Sequence, residues 1–191
     1  MTKSLTVFCF MILGLGVWIM IGRTQLSEVE KLSENKNAQI SQQKLADEME
    51  IRRVVDEIDN AVDAKDWVRT RTFFADKVAV DFTSLAGGEP AQITGDVLVN
   101  GWRTNLYSEK KSFHQRGNHR IEINDDKAEV FSKGYAFNLI EKGKVKGLWE
   151  VWGNYTHTLE KTDNGWKVSG MTLTVAHTRG DDRVRTFLPK K

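Results

Sequence analysis

The chain begins with a long apolar run, and apolar residues then recur at regular intervals through most of its length. No residue from Ser4 to Gly22 carries a charge, and such a run is long enough to cross a bilayer as a helix. From about Met49 the apolar residues follow a helical period, which predicts a helix with one buried face. The members of this stripe are Ile51, Val54, Val55, Ile58, Ala61, Val62 and Val68.

Beyond this helix the apolar period shortens. Asp66 is the predicted N-cap of a short second helix that ends near Phe74. Apolar and polar residues alternate over residues 78–84, which predicts a half-buried strand, and a further helix is expected from about Asp96 to Leu106. Long segments rich in aromatic and β-branched residues then predict four strands separated by polar turns: Phe113–Asn124, Ala128–Ile140, Leu148–Thr162 and Trp166–Thr178.

This order of elements predicts the fold class. Helices come first and a meander of long strands follows, which is typical of an α+β fold. Strands of this length must curve to enclose a core, and bulges or bends are expected at Gly117, Gly134, Gly153 and Gly170. We therefore expect a cone-shaped, curved antiparallel sheet wrapped around the N-terminal helices.

Composition excludes several classes of function. The formal net charge is only +2 and the basic residues are scattered, so no nucleic-acid partner is expected. The only cysteine is Cys9, which leaves no intrachain disulfide and no cysteine-based zinc site. The histidines lack the spacing of metal ligands. Neither a metal nor an organic cofactor is predicted.

The N-terminal pattern predicts a membrane segment. Lys3 precedes the apolar run, which favours a cytoplasmic N-terminus. Bulky Trp18, Met20 and Ile21 stand where a signal peptidase needs small residues, so an uncleaved signal-anchor is favoured over a removed signal peptide. The rest of a single-pass membrane protein is then expected on the extracytoplasmic, periplasmic side. Cleavage would instead leave a secreted protein.

These patterns divide the chain into predicted segments. Residues 1–23 form the signal-anchor or signal peptide, and residues 24–48 form a polar stalk or linker, either a solvated helix or a flexible tether. Residues 49–180 form the folded domain. Residues 181–191 form a basic C-terminal tail, which we expect to be solvated.

Asp63, in the stretch VDAKDW, and His114, in SFHQRGN, are the candidate catalytic residues. A carboxylate and an imidazole that meet in a cavity can hold a water molecule or move a proton. Helix periodicity places Asp63 off the centre of the apolar stripe. His114 shares a face with Ile121 and Ile123 only if a bulge lies at Gly117–Asn118. The pattern alone therefore leaves open whether either side chain faces the interior or solvent.

Two further histidines lie on predicted apolar faces. Strict alternation groups His177 with Leu173 and Val175, and His157 with Tyr155. Each is either a hydrogen-bonded structural histidine or a donor that faces a cavity. The aromatic residues are expected to be mostly core, and Tyr155 is expected among those that line an apolar cavity.

Three stretches resemble the SnoaL-like branch of the nuclear-transport-factor-2-like superfamily: AVDAKDWVRTRTFFADKVAVDFTS, FHQRGNHRIEINDDKAEV and LEKTDNGWKVSG. The resemblance covers about residues 49–180, and the characterised relatives it brings in are scytalone dehydratase and the bile-acid dehydratases. It implies a cystatin-like roll with a ligand cavity. It also implies a homodimer that forms through the outer face of the sheet.

The resemblance implies roles for individual residues as well. Asp63 and His114 stand where the dehydratases have a pocket carboxylate and a pocket imidazole. Val62 and Phe82 stand in place of two pocket tyrosines, and Asn138 stands in place of a second histidine. The pattern thus keeps two acid–base groups and lacks three polar partners. The predicted pocket-lining residues are Val62, Phe82, Asn138, Tyr155 and His177.

Two classes of function remain open. The first is a cofactor-independent dehydratase or isomerase that acts on a mostly apolar carbonyl or hydroxy compound. In that enzyme His114 is the general base, and Asp63 either orients it or donates a proton to a leaving hydroxyl. The second is a noncatalytic module that binds a small molecule or dimerises, tethered at the membrane by the N-terminal helix.

Overall fold

The computed structural model describes the backbone of residues 5–189, and the side chains of residue 28 and residues 30–189. The helices are α1 (Leu5–Asp63), α2 (Trp67–Thr72), α3 (Thr83–Ala86), α4 (Gly95–Asn105) and α5 (Asp182–Thr186). The strands are β1 (Phe74–Asp81), β2 (Ala91–Thr94), β3 (Lys111–Asn124), β4 (Lys127–Ile140), β5 (Gly147–Thr162) and β6 (Gly165–Gly180). Contacts divide the chain into two units, Met1–Ala46 and Asp47–Lys191.

Residues 5–46 of the first unit belong to α1. All side chains from Glu30 to Ala46 are exposed, so this part of the predicted stalk is a solvated helix. Within the part of the chain whose side chains the structure describes, no helix is long and apolar enough to cross a membrane. The predicted signal-anchor at residues 1–23 lies outside the residues described at side-chain level.

The second unit contains a six-stranded curved sheet in the order β2-β1-β6-β5-β4-β3. Strands β3 to β6 form an antiparallel meander, and β1 pairs with β6 in parallel. The apolar stripe of α1 packs on the inner face, where Ile51 and Val55 are fully buried in one cluster with Val130 and Val168. The predicted α+β fold, with a curved sheet around an N-terminal helix, is confirmed for this unit. The prediction of a wholly antiparallel sheet is wrong, because β1 and β6 run in parallel.

Helix α1 ends at Asp63 because the chain turns sharply there. Lys65 adopts a left-handed conformation with φ of 57°, and Asp66 then caps α2 by accepting from the N–H of Arg69 at 3.0 Å. The predicted N-cap is therefore confirmed. The same turn removes Val68 from the buried stripe. Val68 is 82% exposed, so its predicted place in the core is wrong.

Register shifts bend the long strands. In β3 the shift lies between Gly117 and Arg120, where Asn118 has φ of 55°. In β6 the extra residues are Ser169 and Ala176, which have no partner in the register with β5. A bulge of this kind adds one residue to a strand and increases its twist. The bulge predicted beside Gly117 is confirmed.

Short elements replace three predicted segments. Asp81 accepts hydrogen bonds from the N–H and hydroxyl of Thr83, so β1 ends and α3 begins inside the stretch predicted as strand. Strand β2 follows the glycine-containing loop and pairs with β1. Helix α5 packs Val184 into the interior, where it is fully buried. The expectation of a wholly solvated C-terminal tail is therefore wrong.

Candidate functional site

The second unit contains a cavity of about 270 Å³ between the inner face of the sheet and the helices. Its wall is mostly apolar: Ile58, Val62, Phe82, Leu85, Ala86, Trp102, Leu106, Ala136, Trp149, Val151, Met171 and Leu173. The polar lining residues are Asp59, Asn105, His114, Arg116, Asn138, Tyr155 and Arg185. An apolar wall with a few polar groups is the usual form of a small-molecule site. The described side chains include no cluster of three His, Cys, Asp or Glu placed to hold a metal ion.

Most of the residues predicted to line a pocket do line this cavity. Val62, Phe82, Asn138 and Tyr155 are all part of its wall. His177 is not, because the bulge at Ala176 reverses the alternation of β6. Its ring is exposed on the outer face and lies 5.5 Å from the ring of Trp152. The predicted pocket position of His177 is wrong.

His114 lines the cavity and Asp63 lies behind it. The Nδ1 atom of His114 is 2.7 Å from Oδ1 of Asp63, and the backbone N–H of His114 donates to Oδ2 at 2.6 Å. The bulge at Asn118 allows this arrangement, because it places His114 on the inner face together with Ile121 and Ile123. The structure therefore brings together the two residues that the sequence singled out.

The protonation of this pair follows from its hydrogen bonds. Burial raises the pKa of Asp63. The hydrogen bonds and charge of His114 and the hydroxyl of Ser112 lower this pKa by a larger amount, so it lies below its ordinary value. An ionised carboxylate only accepts hydrogen bonds, so Nδ1 of His114 carries a proton, and the form of the ring with a single proton has its lone pair on Nε2. Asp63 does not line the cavity. Of the two roles predicted for Asp63, the geometry fits orientation of His114.

Ser112 and Lys65 support Asp63 from β3 and from the turn after α1. The hydroxyl of Ser112 donates to Oδ1 of Asp63 at 2.9 Å and accepts from Nζ of Lys65 at 2.7 Å. Because an ammonium group only donates, Lys65 directs the hydroxyl proton of Ser112 toward Asp63. The carboxylate is thus fixed by several donors at once.

A second charged pair, Arg116 and Asp59, also lines the cavity and was not identified from the sequence. The Nε and Nη2 atoms of Arg116 donate to the two carboxylate oxygens of Asp59, each at 2.6 Å. The side chains are 3% and 8% exposed. The spacing contained a signal, since Asp59 precedes Asp63 by one helical turn and Arg116 follows His114 by two residues in a strand. Each member of the new pair therefore shares a face with a member of the first.

His157 is fully buried beside Arg116. The Nη1 atom of Arg116 lies 3.3 Å from Nε2 of His157, and since a guanidinium only donates, Nδ1 of His157 carries the ring proton. That Nδ1 has no hydrogen-bond partner within the described part of the chain. Burial and the charges of Arg116 and His119 hold the pKa of His157 well below its ordinary value. Of the two roles predicted for His157, the structural one fits.

The fold recurs in solved structures of known proteins. A protein from Kribbella flavida matches 71% of this chain and 95% of its own, with a TM-score of 0.67 and 21% identity. A Novosphingobium aromaticivorans protein provisionally assigned as a scytalone dehydratase matches 73% of this chain and 90% of its own, with a TM-score of 0.62 and 18% identity. A hexachlorocyclohexane dehydrochlorinase from Novosphingobium barchaimii matches 77% and 97%, with a TM-score of 0.57 and 19% identity. Similarity at these identities shows the fold alone.

Residues 43–172 match the sequence profile of the SnoaL-like domain. No curated protein sequence is significantly similar to the chain. The matched range covers more than half of the chain and includes Asp59, Asp63, His114 and Arg116, and it confirms the resemblance seen in the sequence. The chain therefore belongs to the SnoaL-like domain family.

Proposed function

We propose that this domain binds a small, mostly apolar molecule in the cavity and removes a proton from it, in a cofactor-independent elimination or isomerisation. The observation that carries the proposal is the 2.7 Å contact between Nδ1 of His114 and Oδ1 of Asp63. Because His114 also lines the cavity, this contact leaves Nε2 as the ring nitrogen able to accept a proton from a bound molecule.

His114 is the general base of the proposed reaction. Its Nε2 accepts a proton from a substrate carbon, and the carboxylate of Asp63 stabilises the imidazolium that forms. In an elimination the C–H electron pair becomes part of a new double bond, and the leaving hydroxyl takes the proton from His114 and departs as water. In an isomerisation His114 returns the proton to another carbon. Acid–base catalysis of this kind contributes about 10²–10⁴-fold to a rate.

Proteins of similar fold support this reaction class by analogy. The names of two of them, a provisional scytalone dehydratase and a dehydrochlorinase, denote the removal of a small molecule from a substrate. Fold similarity alone does not transfer an activity. The main support for the proposal is therefore the pair of Asp63 and His114.

Exchange of carbon-bound protons tests the proposal. The full-length chain is incubated in D₂O with 2-tetralone, a bicyclic ketone, and NMR follows the replacement of the protons next to the carbonyl. We expect exchange with the native chain and a loss of about 100-fold or more in His114→Gln. Asp63→Asn is also expected to slow exchange, because the amide no longer fixes the ring tautomer. Gln115→Ala, an exposed neighbour on the opposite face of β3, is the control.

A noncatalytic ligand-binding module is the second candidate. It is favoured by Val62 and Phe82, which give apolar side chains to the cavity wall where the resemblance to the dehydratases places tyrosines. Binding of 2-tetralone, seen as a rise in melting temperature, without any exchange in the native chain would favour this candidate and refute proton transfer.

We also propose that the domain forms a homodimer through the outer face of the sheet. Phe113 is 44% exposed there and stacks on Phe137 at 5.7 Å, and Trp152 lies 5.0 Å from Tyr135. Phe113 is exposed and the other three rings are half-buried, and aromatic residues at a surface are enriched in protein interfaces. The membrane tether and the extracytoplasmic location stay predictions from residues 1–23.

A further inference from the structure

Arg116 is a buried cation that faces the same cavity as His114. Its side chain is 3% exposed, and both residues line the cavity. They are two positions apart on β3, which places them on one face of the strand and about 6.6 Å apart along it. A substrate group close to the carbon that gives its proton to His114 can therefore contact Arg116.

The hydrogen bonds of Arg116 leave donors free. A guanidinium has five N–H groups. One on Nε and one on Nη2 bind Asp59, and one on Nη1 contacts His157. Among the side chains that the structure describes, none accepts a bond from the second N–H of Nη1 or of Nη2.

The net charge of the Arg116–Asp59 pair indicates which kind of ligand atom the free N–H groups of Arg116 can bind. Arg116 and Asp59 together are electrically neutral, so a permanently anionic ligand would compete with Asp59 for the guanidinium. A neutral carbonyl oxygen can accept from the free N–H groups while the bonds to Asp59 stay intact. If negative charge then develops on that oxygen, fixed donors in an enclosed site stabilise it strongly.

We infer that Arg116 is a catalytic residue that stabilises an oxyanion, and that the substrate is a carbonyl compound with its acidic C–H next to the carbonyl group. This inference rests on the proposed function. Asp59 is a positioning residue that fixes the guanidinium. Tyr155 covers one face of it, with 4.0 Å between Cζ of Arg116 and the centre of the ring.

The step balances without any further reactant. Nε2 of His114 takes the proton from the carbon next to the carbonyl, and the C–H electron pair forms the carbon–carbon double bond of an enolate. The π electrons of the carbonyl move to oxygen, where Arg116 binds the charge. When the enolate collapses, it expels a leaving group from the next carbon, or it takes the proton back from His114 at another position.

Binding of 2-naphthol tests the inference without requiring turnover. Naphtholate is a stable, planar analogue of the enolate of 2-tetralone, and its absorbance distinguishes it from neutral naphthol. We expect the full-length native chain to bind naphtholate at a pH where the free probe is neutral. In Asp59→Leu/Arg116→Met, which replaces the ion pair with apolar side chains, we expect naphtholate affinity to fall at least tenfold and tetralone exchange to fall about 100-fold.

The control removes an ion pair from the outer face, in which Arg179 is 65% exposed. Glu150 is bonded to Arg179, and its side chain is 7% exposed, so Glu150→Leu/Arg179→Met should bind naphtholate like the native chain. Arg116→Lys keeps a cation opposite Asp59 but loses the forked donors, and we expect intermediate affinity. This single variant provides the same test if the double variant does not fold.

The outcomes separate this inference from the proposed function. Equal naphtholate binding and equal exchange in the native chain and in the Arg116 variants would overturn the role of Arg116 and leave His114 as the base. His114→Gln should lose exchange and keep naphtholate binding. Binding of naphtholate that depends on Arg116, with no exchange in the native chain, would support the oxyanion site and refute proton transfer.

Discussion

Three of the four histidines of this domain differ in their surroundings, because their ring nitrogens meet different partners. Nδ1 of His114 faces the carboxylate of Asp63 at 2.7 Å, which prepares Nε2 to accept a proton. Nδ1 of His157 is buried without a partner among the described groups, which favours a neutral, inert ring. His177 lies exposed against Trp152. One residue type thus provides a candidate base, a core residue and a surface residue.

The buried His157 predicts a loss of stability in mild acid. Its pKa in the folded chain lies well below the ordinary value, because of burial and the charges of Arg116 and His119. The unfolded chain therefore binds a proton first as the pH falls below about 6.5, which destabilises the fold by at most about 1.4 kcal/mol per pH unit. Above about pH 6.5 the ring is neutral in both the folded and the unfolded chain, so His157 costs no stability there. Urea unfolding of the native chain and of His157→Gln between pH 5 and 8 measures it.

The variant His157→Gln should show a flatter dependence of unfolding free energy on pH, since glutamine does not titrate. His177→Gln, on the exposed outer face, is the control and should follow the native curve. Parallel curves for the native chain and His157→Gln would show that His157 does not carry this acid sensitivity.

Single residues also show how far the sequence could predict the site. The inward position of His114 depended on a bulge that the sequence suggested at Gly117 and Asn118, and asparagine tolerates the positive φ that it adopts there. His177 could not be placed, because nothing in Ala176 marks the second bulge. The Arg116–Asp59 pair was not identified from the sequence, because a charged residue is buried only where it has a partner, and periodicity does not reveal that partner.

Strands β4 and β5 pack so closely that the position of Gly134 in β4 has no room for a side chain. A Cβ at Gly134 would lie 2.5 Å from the ring of Tyr155. Tyr155 lines the cavity and covers the guanidinium of Arg116. The absence of a side chain at Gly134 therefore determines where the Tyr155 ring lies.

We expect Gly134→Ala to lower the free energy of unfolding by about 1–3 kcal/mol, because the added methyl overpacks the inner face. The displaced Tyr155 ring should also weaken ligand binding. Chemical denaturation and 2-naphthol titration measure the two effects. Gly101→Ala is the matched control: its Cβ meets nothing within 4 Å, and alanine should stabilise helix α4 by about 0.5–1 kcal/mol. Native stability in Gly134→Ala would contradict the close packing.

Helix α5 is short, yet it closes one side of the cavity. The carbonyl of Arg185 accepts from Asn105 and from Lys110, both at 3.1 Å, and the side chain of Arg185 lines the cavity. Val184 packs in a cluster with Trp149 and Val151. A helix of five residues is too short to show a helical period, which is why the sequence predicted only a tail.

Truncation of Val184 should loosen this element. We expect Val184→Ala to lower the free energy of unfolding by about 2 kcal/mol, from lost burial and the space left behind. Hydrogen exchange at residues 182–187 should become faster than in the native chain. Leu188→Ala, where the native side chain is 48% exposed, is the control and should leave exchange at Val184 unchanged. Equal protection in Val184→Ala would mean that α5 does not depend on this contact.

For the molecule as a whole, the outer sheet face determines the proposed assembly. If Phe113 lies in a homodimer interface, Phe113→Lys buries a charge there and should shift the mass of the particle toward that of a monomer. Light scattering after size exclusion measures this shift. Val97→Lys changes a side chain on α4 that is 57% exposed, and it should keep the native mass. A native chain that is already monomeric would refute the homodimer.

The overall architecture was predictable because its main parts are local. Adjacent strands β3 to β6 pair in sequence order, and polar turns between apolar alternations mark such a meander. The parallel contact between β1 and β6 was not predictable. It joins distant parts of the chain, and no local pattern of residues encodes it.

That parallel contact also has a consequence for synthesis. In the sheet β1 lies between β2 and β6, the last strand in sequence, and the apolar stripe of α1 packs in one cluster with Leu159, Trp166 and Val168. A ribosome delivers β6 and these three residues late, so the early helix and strand lack part of their packing while the chain grows. The cavity, with His114 and Arg116 in its wall, is expected to form in one late step, after β6 has left the exit tunnel.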